Sequence, residues 1–248
     1  MARTKAEFRL NLSFASWHED IAAALVAVRG RSCYRCGPRP NDGWTGNLSL
    51  ISASERIARN GHRGGILWLT GLSGSGKSTV SVGAERLLFD RGWQCMVLDG
   101  DTLRHGVCSD LGYSPADRHE NIRRIGELAT VLASGGVICI CALISPYRVD
   151  RGRVRELAGE AFHEVWMSAD IQVCEGRDPK GLYRRGRTGQ LADFTGIAAP
   201  YEPPERPELV IDTGRMTVAQ SVAALTDYAV RVFASVSCEA SLQRQTSS

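Results

Sequence analysis

Gly71-Leu-Ser-Gly-Ser-Gly-Lys-Ser-Thr79 satisfies the pattern G-x-x-x-x-G-K-[ST] and directly follows the apolar run Ile66-Leu-Trp-Leu-Thr70. A strand feeding such a loop, with a helix starting at its lysine, is the arrangement that cradles the phosphate chain of a nucleotide. Gly71, Gly74 and Gly76 let the backbone turn tightly and aim its N–H groups at phosphate oxygens. The dipole of the following helix adds to that field. Lys77 can neutralise the β- and γ-phosphates of ATP, and Ser78 can place its hydroxyl on Mg²⁺. Ser73, Ser75 and Thr79 complete the nucleotide-binding run. Kinases, GTPases and motor ATPases share this loop. The sequence contains neither the N/T-K-x-D segment that reads guanine nor the L-S-G-G-Q segment of transporter ATPases, which favours a small-molecule kinase.

Outward from the loop, residues 65–235 alternate short apolar runs with helix-length amphipathic stretches. Strands are expected at 66–70, 94–98, 137–143, 163–167 and 209–212, and helices at 77–90, 118–133, 148–160, near 171–175 and at 217–236. This is the pattern of an α/β, three-layer P-loop NTPase fold: a mainly parallel sheet of about five strands flanked by helices. Three zones follow: an N-terminal arm over 1–64 with an insertion at about 20–51, a kinase domain over 65–236, and a polar tail over 237–248.

With 43% hydrophobic residues, the 248-residue chain can bury one sizeable core. Its longest apolar run is eight residues, 137–144, against the roughly 20 that a membrane span requires, so no membrane partner is expected. The net charge is +3, but residues 65–248 hold twenty Lys/Arg against twenty-two Asp/Glu. That body has no general attraction for nucleic acid, and anion binding must come from local clusters. Of the eight cysteines, only Cys33 and Cys36 have ligand-pair spacing, without a second pair to close a zinc site. Thiols in apolar stretches, such as Cys139, Cys141 and Cys174, point to a reducing compartment, with the cytoplasm expected and an organelle such as a plastid left open.

The second expected strand runs into Leu98-Asp99-Gly100-Asp101-Thr102-Leu103-Arg104. Carboxylates at the C-terminal end of a parallel strand lie in the crevice where α/β proteins bind ligands. Asp101 is the candidate general base on an acceptor hydroxyl, or a holder of Mg²⁺ through water; Asp99 is the lesser candidate for that metal network.

With Leu98-Asp-Gly-Asp101, the runs Asp117-Arg-His-Glu-Asn121-Ile-Arg-Arg124, Ile144-Ser-Pro-Tyr-Arg148, Arg177-Asp-Pro-Lys180-Gly-Leu-Tyr183 and Phe194-Thr-Gly-Ile197 stand in order behind the phosphate loop. Together they resemble the adenylyl-sulfate kinase family over about residues 52–213. The resemblance implies that ATP phosphorylates the 3′-hydroxyl of adenosine 5′-phosphosulfate, with Mg²⁺ as cofactor and a homodimer as the assembly. It also implies an acceptor site made of Asp101, Thr102, Arg104, Tyr113, Arg118, Asn121, Ile144, Ser145, Lys180 and Phe194, with Tyr113 and Phe194 sandwiching the adenine. The chemistry agrees, since a dianionic nucleotide calls for arginines and flat side chains.

Ser145 is associated in that family with a phosphoenzyme; with no obvious base adjacent in sequence, acceptor binding with direct in-line transfer is the favoured reading. The basic run 177–187 resembles the family's lid, with Arg184, Arg185 and Arg187 serving as lid charges or only as solubilising ones; Arg123 and Arg124 belong in part to a solvated helix face.

The sequence departs from the family at Thr102, Ala142 and Ala198, and in the insertion carrying Cys33 and Cys36. By resemblance to plant-type relatives, one of those two cysteines would pair with Cys95 as a redox switch; free thiols are the alternative. A kinase of another small nucleotide or alcohol, or a catalytically weak nucleotide-binding regulator, remain the alternative functions.

Overall fold

A computed structural model describes residues 49–191 and 194–235. The fold lies in the unit Ala53–Ser248. Cys33, Cys36, most of the expected insertion and the polar tail lie outside the described residues.

Five parallel strands, β1 (Gly65–Thr70), β2 (Cys95–Asp99), β3 (Ile138–Ala142), β4 (Phe162–Ser168) and β5 (Leu209–Asp212), form one sheet in the order β2-β3-β1-β4-β5. All six residues of β1 are buried, as expected of a central strand covered on both faces. The pleat sends Leu67 and Leu69 to one face and Ile66 and Trp68 to the other. Helices α1 (Ala53–Asn60), α2 (Lys77–Asp90), α3 (Gly100–Leu103), α4 (Pro115–Ser134), α5 (Arg148–Ala158), α6 (Ile171–Arg177), α7 (Leu182–Arg187) and α8 (Val218–Phe233) complete the order. The first face packs on α2 and α8 through Val80, Ala84, Leu88, Leu225 and Phe233. The second packs on α4 and α5 through Ile122, Ile125, Ala129 and Val154. Each fully buried Leu or Ile here contributes about 1.5–3 kcal/mol.

The five expected strands and five expected helices are all present, with shifted ends. Ser114 caps α4 by accepting from the Asp117 N–H at 3.2 Å, and Pro115 supplies the first turn, so α4 starts before the expected 118. Gly159, at φ 58°, ends α5 short of 160 in a single 3₁₀ turn. Thr217 is the cap of α8 rather than its first residue, through a capping box with Gln220. The sequence pattern predicts no helix at α1, α3 or α7, each of eight residues or fewer and too short to display a helical period. Within the described residues α1 is tied to the domain by Arg56, which donates to the Gly135 carbonyl at 3.2 Å.

The chain leaves β1 toward β2, returns through β3 and then crosses β1 to reach β4. The order therefore reverses between β3 and β1, which puts the crevice above their C-terminal ends. The phosphate loop follows β1, Asp99 ends β2 and Ile144-Ser145 follow β3 at that rim. Among the described residues no helix is long and apolar enough to cross a membrane.

Candidate active site

The donor side starts at the end of β1. Gly76 caps α2 at φ 87° and Gly74 bends the loop at φ 76°, both in the left-handed region that favours glycine. A Cβ on Gly74 would also stand 2.7 Å from the Cys174 carbonyl oxygen. The cap of α2 carries no side-chain hydrogen bond, which leaves the N–H groups of its first turn open to an anion. Lys77 is buried and turned back on its own loop, donating to the Gly71 and Leu72 carbonyls at 2.9 and 2.8 Å and to Ser75 Oγ at 3.4 Å. Burial disfavours its charged form and pulls its pKa down to about 8. Ser78 and Thr79 are exposed, with Ser78 Oγ donating to Asp99 Oδ2 at 2.7 Å.

The loop is braced from behind by residues to which the sequence reading gave no such task. Arg177 donates to the Gly74 carbonyl at 3.3 Å and to the Thr213 carbonyl at 2.5 Å. Thr213 in turn donates to the Ser75 carbonyl at 3.0 Å. Tyr183, fully buried, donates to the Ser73 carbonyl at 3.0 Å. Thus three of the loop's carbonyls are held from behind.

Across from the loop, Asp99 caps α3 by accepting from the Asp101 and Thr102 N–H groups at 3.0 and 3.4 Å. Asp99 is therefore a helix cap whose second oxygen meets Ser78. Asp101 and Thr102 are exposed, and Asp101 forms an ion pair with Lys180. Arg104 donates to the Gly112 carbonyl at 2.7 Å, and its guanidinium lies 4.4 Å from the Tyr113 ring centroid. Tyr113 is 67% exposed.

Arg118 bridges two walls, donating to the Tyr113 carbonyl at 2.9 Å and to Thr195 Oγ1 at 2.7 Å. Phe194 is buried edge-to-face against Tyr183, centroids 5.0 Å apart, in a cluster with Cys174. Asn121 is also buried, and its Oδ1 has no hydrogen-bond partner. A buried amide oxygen without a partner is costly unless something else supplies a donor.

Ile144 and Ser145 follow β3. The Ile144 carbonyl accepts from Thr70 Oγ1 at 2.8 Å. Ser145 is 2% exposed, has φ 38°, and accepts at Oγ from the Trp68 indole at 3.1 Å. The contact favours a serine held in place over one activated as a nucleophile, which needs a base to take its proton.

The charges of 177–187 do not simply repel one another, as Arg187 donates to Glu175 at 3.0 Å and Lys180 is paired with Asp101. Arg184 and Arg185 are exposed. Arg123 and Arg124 both donate to Glu120, and Arg124 also to Asp110 at 2.6 Å. Among the departures, Ala142 is buried in β3, and Ala198 is exposed. Cys95 donates from Sγ to the Glu85 carbonyl at 3.4 Å, and burial pushes its thiol up to about 11. Among the described residues no cluster of three or more His, Cys, Asp or Glu is arranged to hold a metal.

The adenylylsulphate kinase family profile matches residues 63–212. An adenylyl-sulfate kinase of Geotalea uraniireducens is 56% identical over 182 residues, 73% of this chain and 88% of that protein. Among solved structures, the Mycobacterium tuberculosis APS kinase CysC in complex with AMPPNP and APS is 44% identical, with a TM-score of 0.64 over 66% of this chain and 96% of that one. A hexameric APS kinase from Thiobacillus denitrificans is 30% identical, with a TM-score of 0.54 over 72% of this chain and 31% of that one.

Proposed function

This chain belongs to the adenylylsulphate kinase family, and on that premise we propose that it transfers the γ-phosphoryl group of ATP to the 3′-hydroxyl of adenosine 5′-phosphosulfate. The products are ADP and 3′-phosphoadenosine 5′-phosphosulfate. The observation that carries the reading is the meeting of a phosphate loop, with Lys77 buried behind it, and a wall bearing Asp101, Lys180 and Arg118 at one end of the sheet.

Phosphoryl transfer asks a protein chiefly to position the reactants and stabilise charge. On the donor side, Lys77 exchanges its loop carbonyls for the β- and γ-phosphates, and the first turn of α2 supplies N–H groups. On the acceptor side, Asp101 takes the proton of the 3′-hydroxyl as that oxygen bonds to the γ-phosphorus and the bond to the bridging oxygen of ADP breaks. Lys180, paired with Asp101, is placed to follow the acceptor as it enters. Arg104 and Arg118 counter the phosphosulfate charge, Tyr113 and Phe194 flank the adenine, and Asn121 Oδ1 receives a donor from the acceptor. Thr102, Ile144 and Ser145 line the same wall, and Ser145 acts through binding in a direct, in-line transfer.

Mg²⁺ fits the hydroxyl of Ser78 and the carboxylate of Asp99 beside it, an oxygen-only set suited to a hard cation, with Asp101 nearby in sequence as the earlier candidate. When bound, it neutralises charge on the phosphate chain. We place the working form as a homodimer; the hexameric relative supports self-association as such. The free cysteines among the described residues support a reducing, cytoplasmic setting.

The test is ADP release from Mg-ATP with and without adenosine 5′-phosphosulfate, with the product identified by chromatography. Acceptor-dependent release of the 3′-phosphorylated nucleotide is expected. Release with other alcohols only would make it a kinase of another acceptor, and nucleotide binding without turnover would make it a regulator.

A further inference from the structure

Arg151 lies on α5, behind the rim and among other arginines, yet it is 2% exposed. Each of its nitrogens has a partner. Nε donates to Glu164 Oε1 on β4 at 2.5 Å, Nη1 to the Ser145 carbonyl at 2.7 Å, and Nη2 to the Glu202 carbonyl at 2.8 Å. The two carbonyls belong to separate walls. Ser145 ends the β3 rim, and Glu202 lies on the segment that follows Phe194 and Thr195.

Those walls meet at other points too. The Glu202 N–H donates to the Pro146 carbonyl at 2.9 Å, and Tyr201 Oη lies 3.2 Å from Thr70 Oγ1. Ser145, at φ 38°, lies in the left-handed range that favours glycine. Such a conformation is strained and persists only where its surroundings over-determine it. Here they do so through a buried cation on its carbonyl and an indole N–H on its hydroxyl. Glu164 is itself tied to Arg155 at 3.3 Å, and its N–H donates to Glu208 at 2.6 Å, so the guanidinium rests on a fixed counter-charge.

We infer that Arg151 is a positioning residue for the acceptor: by clamping the Ser145 and Glu202 carbonyls against Glu164, it sets the spacing between the β3 rim and the Phe194–Glu202 segment into which the acceptor nucleotide fits. It touches no substrate, and its effect passes through Ser145 and the segment beyond Phe194. This rests on the acceptor-kinase reading above. A buried ion pair is in itself weak evidence for stability, since apolar replacements of the same volume are often neutral or better. Its geometry, a planar fork spanning two carbonyls and a carboxylate, is what lysine and apolar side chains cannot reproduce.

The experiment measures KM for adenosine 5′-phosphosulfate, KM for ATP and the thermal midpoint for the full chain, Arg151→Lys, and the double variant Arg151→Met with Glu164→Leu. Arg151→Lys keeps the charge beside Glu164 but cannot hold both carbonyls. Its acceptor KM is expected to rise about tenfold while its ATP KM stays within about twofold. The double variant removes the buried charge altogether, so its midpoint is expected to stay near that of the unaltered chain while its acceptor KM remains raised.

An acceptor KM that returns to normal in the double variant would reduce Arg151 to a structural ion pair and overturn the inference. So would an unchanged acceptor KM in Arg151→Lys, or an equal rise in both KM values. Failure of the acceptor-kinase reading looks different: the unaltered chain would then release no ADP in response to adenosine 5′-phosphosulfate.

Discussion

The donor side of the crevice is nine consecutive residues, Gly71 to Thr79, whose lysine is satisfied by carbonyls five and six positions away. The acceptor side is gathered from α3, the start of α4, the end of β3, α7's approach and the segment after Phe194, joined by Arg104, Arg118 and Arg151. One is contiguous in sequence, braced from behind by Arg177, Tyr183 and Thr213. The other exists only once the sheet has brought distant segments together, and arginines reaching for backbone carbonyls do much of the joining. It follows that donor-side changes should damage chemistry without loosening the wall, whereas acceptor-side changes should trade affinity against local order.

The sharpest break of that contrast is Lys77→Met. Its chain-local contacts are few and the side chain is replaced by one of similar length, so the fold should persist. The loss in kcat should be about 10³-fold or more, because a charge aimed at the transferring group is removed. Steady-state rates beside a melting curve check it; a collapsed midpoint would mean that the loop is structural to a degree its local contacts do not suggest. Next in size is Asp101→Asn, exposed and paired with Lys180. Loss of a general base is expected to lower kcat by about 10²-fold with ATP KM little changed. Equal losses in Asp101→Asn and Lys180→Met, without further loss on combination, would show the pair acting as a unit.

Tyr113→Ala and Phe194→Ala test the acceptor wall from two ends. Tyr113 is 67% exposed, so its removal should raise acceptor KM by about tenfold and leave the midpoint alone. Phe194 is packed on Tyr183, which holds the Ser73 carbonyl. Truncating a buried Phe costs about 3–5 kcal/mol when the site cannot collapse. Its loss should therefore loosen the lid cluster and reach the donor loop, raising both KM values. Limited proteolysis near 180–195 would report that loosening, and a Phe194 variant that behaves like the Tyr113 variant would separate the two sides more completely than the contacts suggest.

The same contrast explains what could be read before folding. The loop, β1 and α2 are legible because their signal is contiguous: an apolar strand, glycines at fixed offsets and a lysine at a helix start. Family-like spacing extended the reading to Arg118, Ser145 and Lys180. Asp99 ranks behind Asp101 in the sequence because Asp-Gly is also a turn signal, and its double duty as cap and partner of Ser78 depends on where α3 starts. Arg151 was invisible, since Arg148-Val-Asp-Arg-Gly-Arg-Val-Arg155 looks like a solvated helix face. Its burial is set by Glu164 on a strand thirteen residues later. Nor does Ser-Pro announce the φ of 38° at Ser145, because proline restrains the preceding residue toward extended backbone.

The smallest effect is a titration. Burial holds the Lys77 ammonium at a pKa of about 8 while its partners are two carbonyls and a hydroxyl. A bound phosphate chain adds negative charge and raises that value, so nucleotide binding above pH 8 must take up a proton. Well below pH 8 the lysine is already charged and affinity should be flat. Above pH 8 the free chain is increasingly neutral at this position, and the nucleotide has to supply the cost of recharging it. ADP affinity should then fall by up to about tenfold per pH unit, until the pKa of the complex is reached. Calorimetry at about pH 7 and pH 9 in buffers of different ionisation enthalpy would reveal both the weakening and the proton taken up. Lys77→Arg, which stays charged throughout, should abolish the slope while lowering affinity at every pH. A slope that survives in Lys77→Arg would place the titrating group elsewhere in the crevice, and the pH response would then not belong to the donor loop's lysine.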